Sequence, residues 1–217
     1  MEIKDVKTYL VNCTWRNFVF VRVYTDEGLT GVGECTAAYG VGSLAVDGAI
    51  KELKPLLIGQ NPFDIERLYD LMCRRSFWGI VGGPLISSAM SGIEQALWDI
   101  KGKTLHASVY EFLGGSVRDK IRVYVNAGDI ADSRPEDYSK FALKVVEDGF
   151  TAVKLYPFGM FKIASNDQEV VERVRAVREA VGGEVDIMID GGWRYSFDIH
   201  TAIRVGKKLE RFEPMFY

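Results

Sequence analysis

Cysteine is scarce in this chain. Its 217 residues hold three, Cys13, Cys35 and Cys73, too few and too scattered for a disulfide framework, and no CxxC pair suggests zinc. A reducing, cytoplasmic setting suits that usage. The two histidines, His106 and His200, fall at the opening of a short helix and inside a later one, positions that predict structural or surface roles. No GxGxxG is present and no GK[ST] follows the small, Gly-rich stretch from Glu34 to Gly42, so a phosphate-binding loop is excluded there. No large excess of one charge exists either. A formal net charge of -3 and a pI near 5.5 leave no basic footprint for nucleic acid or an anionic membrane. The uncharged stretch from Ser76 to Ile93 is broken by Gly79, Gly82, Gly83 and Pro84, which makes it a poor membrane span and predicts a loop entering a buried helix. The N-terminus, MEIKDVKTYLV, alternates charged and apolar residues and lacks the apolar core of a signal peptide.

What remains is an ordinary globular composition, 47% hydrophobic and 26% charged, in a chain long enough for two domains. Residues 1–115 read as an α+β domain. Three strands, about Glu2 to Val11, Phe18 to Thr25 and Leu29 to Cys35, are rich in β-branched and aromatic residues, and Asp26-Glu27-Gly28 marks a hairpin turn. Helices follow at about Ser43 to Leu57, Phe63 to Arg75, Pro84 to Lys103 and Ala107 to Leu113. In the third, Ile86, Met90, Ile93, Leu97 and Ile100 form one apolar stripe at spacings of three and four, and Pro84 suits its first turn.

Residues 116–217 alternate strand and helix. Strands are expected at Ile121 to Asn126, Thr151 to Tyr156 and Val185 to Ile189, and Glu213 to Tyr217 begins a fourth. Helix starts are expected at Ser133, at Ser165 and at Ser196, the first two as capping boxes with Glu136 and Gln168. Such βα units predict an α/β class with a parallel sheet, whose functional residues belong at the C-terminal ends of the strands. Lys154 and Tyr156, two apart, share one face of the second of these strands, and Asp190 stands at the equivalent end of the next. An ammonium in an apolar strand is costly unless it is paired or functional. The residues alone leave open a metal and substrate site or a structural ion pair. The Trp15-Arg16 pair between the first two strands is likewise a substrate contact or a packing tip.

Three passages carry a resemblance: SGIEQALWDIKGKTLHASVYEFLGGSVRDKIRV at Ser91 to Val123, GFTAVKLY with Lys154, and IMIDGGWRYS with Asp190. Together they resemble the enolase superfamily, in its mandelate racemase and muconate lactonizing enzyme branch and near the acid-sugar dehydratases. The resemblance implies an N-terminal α+β capping domain followed by the first part of a modified (β/α)8 TIM barrel. The chemistry it implies is abstraction of a proton α to a carboxylate with Mg²⁺ as cofactor; enolase-superfamily sites as a class use a Lys or His base with Mg²⁺. The substrate would be a small carboxylate, a sugar acid, and the intact form a homo-oligomer.

Residue by residue, Asp190 resembles the first of three carboxylate metal ligands. Lys154 resembles the first lysine of the family's KxK motif, which meets the substrate carboxylate. Tyr156 stands where racemases and lactonizing enzymes carry the second lysine, and a phenol of ordinary pKa near 10 is a poor base at neutral pH. It would act as a donor or acid, or shape the pocket. Gly192, two residues beyond Asp190, offers no side chain where many relatives have a candidate acid. Arg194 is either a contact to a polyhydroxy substrate or a surface charge. The loop Pro157 to Ala164 would overhang the site, and tips carrying Thr14, Trp15 and Tyr39 would close it. The remaining ligands and the base would lie on barrel strands that follow Tyr217, so the chain alone is expected to be inactive, with a long apolar edge at Glu213 to Tyr217. A dehydratase is the leading reading, a racemase or epimerase the alternative within the family, and a non-catalytic half-barrel that assembles with a partner the alternative outside it.

Overall fold

The computed structural model describes residues 1–14, 16–35, 42–159, 166–191 and 198–217, with Asp129 described by its backbone alone. The chain divides into two compact units, Met1–Val117 and Arg118–Tyr217.

The first unit is an antiparallel meander of β1 (Ile3–Cys13), β2 (Arg16–Thr25) and β3 (Thr30–Glu34) in that spatial order. Alternation sends Val19, Val21 and Val23 of β2 into the core while Phe18, Phe20, Arg22 and Tyr24 face the other way. Against the buried face pack α1 (Gly42–Leu57) and α3 (Pro84–Leu105), and α2 (Ile65–Arg75) packs on those two helices and completes the core. The expected stripe on α3 holds: Met90, Ile93, Leu97 and Ile100 are buried, and Ile86 packs at their margin.

Helix α3 and strand β3 approach so closely that only glycine fits between them. A Cβ on Gly31 would collide with the carbonyl oxygen of Ala96, and one on Gly33 with that of Gly92. The same helix closes the strand's outer edge. Lys103 Nζ donates to Thr30 O at 2.9 Å, Val32 N to Asp99 Oδ2 at 2.9 Å and Glu34 N to Gln95 Oε1 at 3.1 Å. Gln95 Nε2 returns a bond to Glu34 O at 3.1 Å. Side chains one helical turn apart thus serve alternate residues of a strand, satisfying groups that an open edge would present to another chain. A short α4 (Val109–Phe112) follows, opened by a reciprocal capping box of Ser108 and Glu111.

The second unit is a parallel sheet of β4 (Val125–Asn126), β5 (Ala152–Leu155) and β6 (Asp186–Ile189) in sequence order. Helices α5 (Pro135–Glu147), α6 (Asp167–Val181) and α7 (Ile199–Leu209) pack on one face, burying Val153, Leu155, Ile187 and Ile189 beneath them. The terminal segment adds a single parallel bridge, Met188 to Phe216, with Met215 N donating to Ile187 O at 2.7 Å and Ile189 N to Phe216 O at 3.1 Å. Arg178 anchors the lower end of this sheet by donating to the carbonyls of Gly182, Val185 and Phe212.

Several expectations need correction. The strand expected from Ile121 is only Val125–Asn126, because among the described residues no strand pairs with its outer side; Ile121 is 77% exposed, and Arg122 spends its side chain on Thr151 and Asp186. Ser133 does not cap α5; Arg134 takes the N-cap position without a side-chain bond, and Pro135 starts the helix. At α6 the cap is Asn166, which accepts from Glu169 N at 3.0 Å, and at α7 it is Asp198, which accepts from Thr201 N at 2.8 Å. Ser165 and Ser196 lie outside the described residues. In both cases the side chain immediately before the helix captures the orphan amide. The three cysteines are free thiols, and no helix among the described residues is long and apolar enough to cross a membrane.

Candidate active site

Parallel pairing sets the ends of β4, β5 and β6 side by side. Asn126 is in register with Lys154, and Lys154 with Met188. Backbone bonds continue past the strands: Ala127 N donates to Lys154 O at 2.9 Å, and Asp190 N to Leu155 O at 2.9 Å. Because Val153 and Leu155 point to the helices, Lys154 points to the opposite face, where Met188 is buried beside it.

There the ammonium of Lys154 lies 3.0 Å from Asp190 Oδ2, with side-chain exposures of 14% and 34%. Its Nζ sits 5.4 Å from the centre of the Tyr124 ring and 5.3 Å from that of Tyr156, within the range of cation–π attraction. Burial pulls the lysine pKa down, but the hydrogen bonds and charges of Asp190 and Tyr156 outweigh it and hold the pKa above the ordinary value. Lys154 is therefore a fixed cation, suited to meeting a carboxylate and unsuited to taking up a proton at neutral pH.

The structure brings together Lys154, Tyr156 and Asp190 and adds Tyr124, which the sequence reading missed. Its signal was weak, since a tyrosine entering a short strand reads as core. Thr14 belongs to the other unit, exposed at the tip of the β1–β2 hairpin with φ of 43°. Trp15, Tyr39 and Arg194 lie outside the described residues, as do most of the 157–164 loop and Gly192. His106 is the exposed left-handed cap of α3, and His200 is exposed in the first turn of α7.

For a divalent cation, the described residues bring the Asp190 carboxylate to this mouth. Among the described residues no group of three His, Cys, Asp or Glu side chains could hold a metal. Hard cations such as Mg²⁺ need about six oxygen ligands. Asp190 fits as one corner of such a site, and the described residues do not complete it.

Comparison with known proteins gives the arrangement its relatives. Residues 4–114 match the mandelate racemase / muconate lactonizing enzyme N-terminal domain, and residues 137–217 match the enolase C-terminal domain-like family. The chain is 40% identical over 226 residues to a D-xylonate dehydratase of Haloferax volcanii, covering 98% of this chain and 52% of that protein. To a D-galactonate dehydratase of Verminephrobacter eiseniae it is 39% identical over 219 residues, covering 100% and 54%. A member of the enolase superfamily from Salmonella Typhimurium superposes with a TM-score of 0.90 at 34% identity, over 99% of this chain and 60% of that one. The chain thus spans about half the length of the curated relatives it matches. Enolase-superfamily members bind Mg²⁺ in general. With one model covering about half of the chain and a second covering most of the remainder, this protein belongs to the mandelate racemase / muconate lactonizing enzyme family of the enolase superfamily.

Proposed function

We propose that this chain supplies the capping domain, residues 1–115, and the first βα units, residues 116–217, of an Mg²⁺-dependent acid-sugar dehydratase. The observation that carries the reading is the Lys154 ammonium held 3.0 Å from Asp190 at the mouth of the parallel sheet, between two phenol rings. The dehydratase names of the relatives point to an aldonate as substrate.

In this reading Lys154 binds a carboxylate oxygen of the substrate, lowering the cost of the negative charge that develops when the α-proton leaves. Asp190 would be one ligand of Mg²⁺, which when bound would supply further positive charge to the same carboxylate. Tyr156, beside Lys154, orients the substrate or donates a hydrogen bond. Thr14, together with Trp15, Tyr39 and Arg194, is assigned to substrate contacts. The base that removes the α-proton is outside this set. Loss of the α-proton and a β-hydroxyl as water leaves an enol, which tautomerises to a 2-keto-3-deoxy acid.

A second reading, a non-catalytic half-barrel, draws support from the lack of a group of three metal-ligating side chains among the described residues. The test is to assay the complete polypeptide of the source gene, and the 217-residue chain, against D-xylonate and D-galactonate with and without Mg²⁺, detecting the 2-keto product. Product from the complete polypeptide alone supports the proposal. Product from neither sugar acid, or equal product without Mg²⁺, refutes it.

A further inference from the structure

The second unit buries one charged side chain among its described residues, and it lies outside the site just described. Arg173 on α6 is 3% exposed. Its guanidinium donates through Nη1 to Pro157 O at 2.6 Å, through Nε to Ser133 O at 3.1 Å and through Nη2 to Glu169 Oε1 at 2.7 Å. Its Cζ lies 5.7 Å from the ring of Tyr138 on α5, a side chain with no exposure at all. The Tyr138 hydroxyl is within 2.7 Å of Tyr156 O and 2.8 Å of Ala131 O, so its one proton is shared between them. Burial raises the Tyr138 pKa well above that of an ordinary phenol despite the nearby Arg173, so the hydroxyl remains a donor.

All four carbonyls belong to two short connections. Ala131 and Ser133 follow β4, and Tyr156 and Pro157 follow β5. A guanidinium is costly to bury, and a fork of donors spent on backbone carbonyls of separate loops fixes those loops relative to one another. Beneath the ends of two adjacent strands, where substrate-binding groups of a parallel sheet belong, two side chains from the covering helices thus hold the backbone that carries Tyr156.

We infer that Tyr138 and Arg173 are positioning residues, which set the β5 end so that Lys154 and Tyr156 keep their mutual geometry. The inference rests on reading the β5 and β6 ends as the active site, but its test does not depend on turnover. Gly159 N donates to Tyr156 O at 3.1 Å, so its amide reports directly on the clamped turn.

The experiment compares wild type with Tyr138→Phe, which keeps the ring and removes the hydroxyl. Two quantities are read on the 217-residue chain by NMR: amide exchange, and the ¹⁵N–¹H resonance of the Lys154 ammonium, assigned by its loss in Lys154→Arg. The expected result is exchange at Gly159 faster by on the order of tenfold, the effect of one hydrogen bond, and a shifted or broadened Lys154 signal. Amides of β6 should keep their protection. Uniformly faster exchange with an unmoved Lys154 signal would make Tyr138 merely structural and overturn the inference. Should the variant fail to fold, wild type still decides. A Gly159 amide as protected as the β5 core supports the clamp, and one exchanging like an open loop refutes it. Failure of the dehydratase assay would leave either result unchanged.

Discussion

Lys154 and Asp190 form an ion pair across two neighbouring parallel strands, Nζ to Oδ2 at 3.0 Å, and each sits one step beyond residues that point into the helical core. Neither side chain holds the sheet together, since backbone bonds do so on both sides of them. The sheet is expected to survive a change to either side chain.

Asp190→Asn is expected to leave the fold intact and to lower stability by about 1–3 kcal/mol, because the largely buried Lys154 ammonium loses its carboxylate. In the complete polypeptide it should abolish Mg²⁺-dependent turnover. Urea unfolding and Mg²⁺ titration check the two halves of this expectation. An unchanged Mg²⁺ affinity and rate would remove Asp190 from the ligand set.

Lys154→Ala should lower kcat/KM for a sugar acid by roughly a hundredfold or more, as for loss of a group aimed at developing charge, with a much smaller effect on unfolding. A full kcat/KM would return Lys154 to a structural ion pair.

Gly31→Ala tests the seam between β3 and α3. The added methyl meets the backbone carbonyl of Ala96, which cannot swing aside as a side chain would. Destabilisation of about 3 kcal/mol or more, at the upper end for overpacking, is expected in urea unfolding of the first unit. Gly28→Ala is a contrasting control, strained only by its φ of 81° and colliding with nothing.

Asp167 gives the pH dependence. Hydrogen bonds from Arg204 and Lys208 of α7 hold its carboxyl well below the usual carboxylate range. A depressed folded pKa contributes stability above the unfolded pKa, about 3.9, and loses it as pH falls towards the folded value. The stability difference between wild type and Asp167→Asn should be constant from about pH 5 to 8 and shrink below about pH 4. A difference that grew on acidification would contradict this origin.

How much of this was legible in the residues follows from the range of each interaction. The alternation of Val153, Lys154 and Leu155 revealed which face each would take, because a strand's period is local. The apolar run ending at Asp190 was readable for the same reason. The caps are Asn166 at α6 and Asp198 at α7, and at α5 Arg134 precedes Pro135 without a side-chain bond, because backbone geometry that residue type alone does not reveal decides a cap. Tyr124, Tyr138 and Arg173 were invisible as site-related residues. Their partners lie on other strands and loops, and no spacing in the sequence encodes such a meeting. The passage EQALWDIKGK carries the family resemblance, yet the physical employment of Gln95, Asp99 and Lys103 depends on β3 lying beside them, which their spacing does not encode.

That arrangement bears on how such a molecule tolerates change. A slip of β3 by one residue would break the bonds to Gln95, Asp99 and Lys103 together, and would drive side chains into the α3 carbonyls of Gly92 and Ala96 that Gly31 and Gly33 now face. The strand is locked in phase with the helix. A change of chain length on either side of β3 keeps these bonds only if it is taken up outside Thr30–Glu34. Any variant of β3, natural or engineered, has to keep its phase with α3 if the edge of the sheet is to stay closed.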